Sequence, residues 1–432
     1  MNKGQREFFE FFFSGFNIFL TGAAGTGKSY VIKKLIDFLD SKHVFYGKTA
    51  TTGVAALNIG GSTLHSWSGM GLADDEGMAL LTRVSNNQKA TNRIKGTRIL
   101  FIDEISMCDA NLLDKLDIVC QYIRNNDQPF GGIQVVMVGD FLQLPPVFKG
   151  FQKELFAFDS HAWASAKIQT VHLTEIVRQH SQPKFAEYLN EVRFGVAEDH
   201  AMLKECIDRK FPDDGIKPVR LFCKNIDVDG FNNKELQKIG SEEKVYYAID
   251  TGGEQWTKFF NKNCMAPEVL RLRVGAQVML LTNVDVANGL VNGSIGVVES
   301  FSNEGPVVRF TTGDHVVQPF EWEVKQDEPL ITGEIKKVKI AGRKQLPLKL
   351  AWAVTVHKSQ GATLDRAEID ISEAFAAGQV YVALSRVRDL ESLSIKAFSP
   401  HKIMANRRCV EFYFEQERAK EKVEQFFTEE TV

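Results

Sequence analysis

Apolar and polar positions follow two different rhythms along this chain. Residues 17–21 form a short apolar run closed by a glycine-rich turn. The turn is followed by Val31, Ile32, Leu35, Ile36 and Leu39 on one helical stripe. Residues 99–102 and 133–138 are unbroken apolar runs, the pattern of strands buried on both faces. Strand and helix signals alternate across residues 1–170, which predicts a parallel sheet with helices on both faces. A second block of the same kind starts near residue 176, with a strand at 219–223 and a helix after it. Residues 271–340 break the rhythm. They are rich in Val, Gly and turn signals such as Asn288-Gly289, Asn292-Gly293 and Thr312-Gly313-Asp314, which predict an antiparallel insertion. The α/β rhythm resumes near residue 345, with strands at 368–371 and 393–396, and 405–432 reads as a terminal helix. Phe8, Phe9, Phe11, Phe12 and Phe13 read as part of a helix packed on the first domain. Glu10 interrupts that run and no small-residue cleavage site follows it, so it does not read as a signal peptide.

Composition narrows the class. A chain of 432 residues suggests two to four domains. With 44% hydrophobic and 25% charged residues it is neither a disordered tail, a collagen nor a membrane bundle. No stretch reaches the apolar length of a membrane span, so no membrane partner is expected. The formal net charge is −3, which excludes a protein coated in positive charge; a polyanion has to bind in a local groove of positive potential. Six cysteines without a CxxC pair point to buried, reduced thiols in a cytosolic protein, not to a zinc ribbon or a disulfide scaffold.

The chemistry starts at Gly22-Ala23-Ala24-Gly25-Thr26-Gly27-Lys28-Ser29, a complete phosphate loop between a strand and a helix. Its backbone N–H groups and the helix N-terminus suit phosphate oxygens. Lys28 would reach the β- and γ-phosphates of ATP, and Ser29 would offer its hydroxyl to Mg²⁺. The run at 99–102 delivers Asp103 and Glu104 to the sheet edge where ligands sit. Asp103 would hold Mg²⁺, and Glu104 would act as base toward the attacking water. Gln143, after a third strand and before Pro145-Pro146, could touch both the γ-phosphate and the water.

Further segments carry a resemblance. Thr52-Gly53-Val54-Ala55-Ala56-Leu57-Asn58-Ile59-Gly60-Gly61, Asp103-Glu104-Ile105-Ser106-Met107 and Leu173-Thr174-Glu175-Ile176-Val177-Arg178-Gln179 resemble motifs of the Pif family of DNA helicases (superfamily one, B subgroup). So do Gly139 to Pro146, Val274 to Met279, Asn292 to Gly296, Thr355-Val356-His357-Lys358-Ser359-Gln360-Gly361 and Tyr381-Val382-Ala383-Leu384-Ser385-Arg386, in family order over nearly the whole chain. The length resembles that of a bare helicase core.

The resemblance implies an α/β fold of two RecA-like domains with ATP and Mg²⁺ between them. The first would span 1–175, with a small insertion near the DNA fork at about 58–80. The second would span 176–270 and 345–405, with a small β-barrel inserted at 271–344, and a C-terminal helix would occupy 406–432. It implies 5′-to-3′ translocation on single-stranded DNA by a monomer, with unwinding of forked or tailed duplexes and guanine quadruplexes in genome maintenance. In a bacterial or phage source the location would be cytoplasmic, at the nucleoid. Gln5 would read the adenine edge and Gly361 would belong to the nucleotide site. Arg178 and Arg386 would face the γ-phosphate from the second domain. Thr52, His65, Ser66, Thr355, His357 and Lys358 are the expected DNA contacts. Trp67 would either stack on a base or pack in the core. Arg407 and Arg408, with Glu429 and Glu430 near the chain end, read as a solvated face. The alternatives are a DNA-stimulated translocase that unwinds poorly, a RecD-like helicase, and a nucleotide-gated switch without turnover.

Overall fold

The computed structural model describes residues 1–71, 73–146, 154–179, 181–224, 227–329 and 335–429, with side chains left aside at 326–329, 335–337 and 420–429. Helix α1 (Lys3–Phe13) precedes strand β1 (Ile18–Gly22) and helix α2 (Lys28–Ser41). Strands β2 (Tyr46–Ala50), β3 (Ser62–Thr63), β4 (Ile99–Asp103), β5 (Gln134–Val138) and β6 (Gln169–Leu173) complete a six-stranded sheet in the order β3-β2-β4-β5-β1-β6. Every pairing in it is parallel. The apolar runs of the sequence are its central strands; β1 and β4 are buried along nearly their whole length, as a sheet covered on both faces requires.

Helices cover both faces. On one, Phe8 and Phe12 of α1 pack with Val31, Leu35 and Leu39 of α2 against Ile18, Leu20 and Val136. Of the phenylalanine run, Phe8 and Phe12 are core residues, Phe9 and Phe11 are partly buried against them, and Phe13 is exposed. On the other face the core contains Phe19, Phe141 and Trp163, and also Phe412 and Tyr413 of the terminal helix Arg407–Glu429.

The second parallel sheet has four strands, in the order Ala353–Thr355, Val219–Phe222, Ala367–Asp370, Leu393–Ala397. Its core also takes Phe185, Leu189 and Val192 from the helix Pro183–Phe194. Between Val219–Phe222 and Ala353–Thr355 of this domain lies the antiparallel part. Five strands run in the order Gly313–Val316, Pro306–Phe310, Ile295–Phe301, Gln277–Leu280, Leu348–Leu350. This sheet occupies the place where the resemblance implies a barrel. A long hairpin, Phe320–Pro329 with Ile335–Gln345, pairs with Ile249–Thr251, and Glu243–Tyr247 pairs with Val269–Arg273. Antiparallel pairing thus begins near residue 243, earlier than the expected boundary at 271. The pairs that mark it join segments separated by the helix Glu254–Asn263, which hides them from local pattern.

Segment 58–80 contributes to the sheet and the core of the first domain: β3 is hydrogen-bonded along the sheet edge, and Leu64, Met70 and Leu80 belong to the core. Trp67 is 2% exposed in the same core, so it packs there and does not stack on a base. All six cysteines are free and five are buried. At the terminal helix Arg407 pairs with Glu411 and Arg408 with Asp159; Glu430 and the Glu429 side chain lie outside the described residues.

Candidate active site and nucleic-acid interface

The phosphate loop leaves β1 through Gly22 and turns at Gly25 and Gly27, which have φ of 81° and 87°. These are left-handed conformations that glycine adopts without strain. The turn aims the N-terminus of α2 at the sheet edge. Lys28 Nζ donates to the carbonyls of Gly22 (2.7 Å) and Ala23 (3.0 Å), so its ammonium lies along the inside of the loop. Thr26 Oγ1 donates to Ala23 O at 2.9 Å, and Ser29 is exposed at the first turn of α2.

Asp103 and Glu104 end β4 beside the loop. Asp103 Oδ1 accepts from the Glu104 N–H at 3.0 Å, and Glu104 takes a left-handed backbone with φ 53°. Burial raises the Asp103 carboxyl above its ordinary range. Burial, reinforced by the neighbouring Asp103, pushes Glu104 up to about 7, the range a general base near neutral pH needs. Burial lowers the Lys28 ammonium, while Asp140 and Glu104 act in the opposite sense.

Residues from the far side close over these groups. Gln360 Nε2 donates to Glu104 Oε2 at 2.9 Å. The Tyr381 hydroxyl accepts the Ala24 N–H at 2.7 Å. Gly378, at φ 76°, lies so close to the Gln143 carbonyl that a Cβ there would collide with it. Arg386 is 2% exposed; its guanidinium donates to the Val382 carbonyl (2.7 Å) and to Ser385 Oγ (2.7 Å). Burial pushes it down to about 9, and the nearby Arg178 adds repulsion. Arg178 differs from expectation in how it arrives. Its N–H donates to Gly25 O at 3.3 Å, so it grows from the linker lying on the phosphate loop, and its Nη1 reaches over to Ser385 O at 2.8 Å. Burial lowers this guanidinium too. Lys28, Arg178 and Arg386 are thus gathered where burial disfavours their charge, an arrangement that a triphosphate would relieve.

Gln143 Nε2 donates to Asp140 Oδ2 at 3.3 Å. Gln5 is engaged in a capping box, its Oε1 accepting the Asn2 N–H at 3.2 Å. The start of α1 lies against the end of β6, where a Cβ on Gly4 would meet the His172 carbonyl. That places Gln5 at the same sheet edge as the phosphate loop. Gly361, at φ 80°, immediately follows Gln360.

The donor set fits Mg²⁺-ATP: a hydroxyl, a carboxylate, an ammonium and loop N–H groups converge on one sheet edge. Among the described residues no cluster of three or more His, Cys, Asp or Glu could hold a metal ion.

The groove that the net charge demands is also present. A cavity of about 870 Å³ separates β3 and the segment after it from the helix Glu254–Asn263 and the hairpin. Its cationic side chains are Lys48, Lys89, Arg93, Lys258, Lys262 and Lys325, and no Asp or Glu lines it among the described residues. His65, Ser66, Trp67, Trp256 and Phe259 are among its polar and aromatic lining residues. Of the expected contacts, Thr52 caps helix α3 (Gly53–Asn58) through Ala55 N at 3.2 Å, and α3 abuts Asn263. Thr355, His357 and Lys358 lie outside the cavity wall, on the second domain, where Thr355 Oγ1 accepts the Lys358 N–H at 3.3 Å. Beside Lys358, Lys349 is pushed down to about 7, first by burial and then by Lys358.

Several of these residues escape a reading of the sequence alone. Trp256 and Phe259 at i, i+3, interleaved with Lys258 and Lys262 at i, i+4, are a legible signal for a nucleic-acid face. Gln360 stands inside a motif that does not disclose its role. Tyr381 stands in such a motif too, and Tyr413 of the terminal helix leaves no local signal.

Sheet order, phosphate loop and the arginines at the domain seam define a two-domain protein of the phosphate-loop class with RecA-like folds. Residues 1–202 match the model of the PIF1-like helicase family, and residues 257–301 match that of the DNA helicase Pif1 2B domain. The Xenopus laevis ATP-dependent DNA helicase PIF1 is 40% identical over 94% of this chain. Bacteroides sp Pif1 in complex with ADP-AlF4 is 31% identical with a TM-score of 0.84, covering 98% of this chain and 97% of that one. Bacteroides Pif1 bound to ssDNA is likewise 31% identical over 98% of this chain and 97% of that one, with a TM-score of 0.63. The chain belongs to the PIF1-like helicase family. It spans 62% of the length of the Xenopus relative.

Proposed function

We propose that this chain is an ATP-dependent DNA helicase that moves 5′-to-3′ along single-stranded DNA and separates forked or tailed duplexes. The observation that carries the reading is the seam itself: Lys28 and Glu104 on one domain face Gln360 and Arg386 on the other. Ser29 and Asp103 would hold Mg²⁺, which supplies charge neutralisation at the phosphates. Glu104, held by Gln360, takes the proton of the attacking water. Arg178 and Arg386 stabilise the charge that spreads over the phosphoryl oxygens. Because Gln360 and Arg386 come from the second domain, hydrolysis depends on closure, and loss of the γ-phosphate favours reopening. Gln5 and Gly361 flank the nucleotide. DNA runs along the cationic cavity past His65 and Ser66, with Thr52 on the same domain, and continues beyond the cavity over Thr355, His357 and Lys358 on the other. The reading extends to guanine quadruplexes as substrates and to a monomer acting in the cytoplasm. Among the described residues no helix is long and apolar enough to cross a membrane.

The test compares duplexes carrying a 5′ or a 3′ single-stranded tail, with and without Mg²⁺-ATP. Strand separation of the 5′-tailed duplex alone, and only with ATP, is the expected result. Unwinding from the 3′ tail would reverse the polarity, and DNA-stimulated hydrolysis without strand separation would mark a translocase.

The groove makes a second prediction. Affinity for single-stranded DNA should fall with salt, since each neutralised phosphate releases counterions. Replacing Lys258 and Lys262 together with Ala should flatten the slope of log affinity against log salt by about 1.4, at about 0.7 per phosphate contact. A titration series that leaves the slope unchanged would remove these lysines from the DNA path.

A further inference from the structure

Asp140 lies just past the end of β5 and is 1% exposed. It stands beside the phosphate loop, because the Gly139 N–H is bonded to Leu20 O in β1. Its carboxylate is the centre of a buried cluster. Arg193 grips it with two N–H groups, Nε to Oδ2 at 2.9 Å and Nη2 to Oδ1 at 2.8 Å. Tyr413 OH donates to Oδ1 at 3.2 Å, and the Leu142 N–H and Gln143 Nε2 donate as well. The Tyr413 oxygen in turn accepts the Phe141 N–H at 3.1 Å and lies 2.7 Å from Thr21 Oγ1, one residue before the phosphate loop. The partners come from separate parts of the fold. Arg193 occupies the last turn of Pro183–Phe194, whose apolar face belongs to the core of the second domain; Tyr413 comes from the terminal helix.

The cluster has an electrostatic role that packing does not require. Asp140 is a buried anion whose charge acts on Lys28, whose ammonium bonds the Gly22 carbonyl. Left without a counter-ion, it would attract that ammonium away from the phosphates. Arg193 saturates both carboxylate oxygens in a two-pronged contact that a lysine cannot reproduce. Among the acids around Lys28, Asp140 has the strongest influence on its ammonium, and Arg193 holds Asp140 ionised against the effect of burial.

We propose that Arg193 is a positioning residue for ATP hydrolysis: by occupying Asp140 from the second domain, it keeps Lys28 available to the phosphates and Gln143 in place. This rests on the ATPase reading above. Separation of the two domains would withdraw Arg193 and let Asp140 take Lys28, so the cluster ties phosphate binding to domain position.

The test is steady-state ATP hydrolysis on saturating single-stranded DNA, with thermal melting of each variant. Arg193→Gln should raise KM for ATP and lower kcat, each by about tenfold or more, the worth of a charge-assisted hydrogen bond. Asp140→Asn in the same chain should recover most of both, since the neutral amide cannot hold an ammonium. Arg193→Lys keeps the charge but frees one carboxylate oxygen, so its KM should rise by a few-fold, less than that of Arg193→Gln. A merely structural brace would lower the melting midpoint and leave KM and kcat of the folded protein unchanged; that result would overturn the proposal. So would a double variant no better than Arg193→Gln. If Arg193→Gln does not fold, Arg193→Lys decides through KM: an unchanged KM refutes the proposal. A wild type without ATPase activity would instead refute the functional reading.

Discussion

Glu104→Gln abolishes most ATP turnover, by about 10²–10⁴-fold, and makes the protein more stable at neutral pH. Both effects come from the same burial. In the folded state the Glu104 carboxyl titrates near 7 because burial and Asp103 oppose its charge, against an ordinary value of 4.5. A carboxyl whose folded pKa is raised destabilises the fold as it ionises: the penalty is absent below about 4.5, grows between 4.5 and 7, and is complete above 7. Gln carries no such penalty. The melting advantage of Glu104→Gln should therefore be small at pH 5 and largest at pH 8, on the order of 1–3 kcal/mol. The wild-type rate should fall as pH drops below about 7 and the base takes up a proton. Parallel melting curves at pH 5 and 8, or a variant that still turns over ATP, would show that Glu104 is neither strained nor the base.

Arg386→Ala lowers kcat by about 10³–10⁵-fold, the range for an arginine that meets the transferring phosphoryl group. Nucleotide affinity should change far less, because the charge it answers develops mainly in the transition state. The structure explains why it is not freely mobile. The Val382 carbonyl and Ser385 Oγ fix its guanidinium, and burial removes the water that would otherwise screen it. Single-turnover hydrolysis together with binding of a fluorescent nucleotide separates the two effects. Equal losses in both would mean that Arg386 merely holds the ground state.

What the sequence made legible follows from the range of the interactions. The phosphate loop, β1 and β4 are local patterns: a fixed glycine spacing and apolar runs of strand length. They place Lys28, Ser29, Asp103 and Glu104 together without any knowledge of distant pairing. Arg178 and Arg386 could be named from their motifs, but not the route by which each reaches the seam. Asp140, Arg193 and Tyr413 were invisible as a cluster, because the carboxylate is 53 residues from its arginine and 273 from its tyrosine. Trp67 shows the converse. Its neighbours in sequence allow either stacking or packing, and only the tertiary core, with Leu64, Ile94 and Leu100, decides for packing. The antiparallel boundary slipped for a similar reason. Glu243–Tyr247 is two charged residues followed by Val and two Tyr, with neither strand alternation nor a turn signal, and its partner lies beyond an intervening helix.

The course of the terminal helix has a mechanical consequence. The backbone leaves the first lobe after β6, builds the second, and returns, with Ile403 still in the second core and Cys409 already in the first. Two covalent crossings therefore join the lobes. A door hung on two pins swings but does not slide or twist freely, and the line through the pins sets its axis. Relative movement of the two lobes is accordingly channelled into rotation about that line.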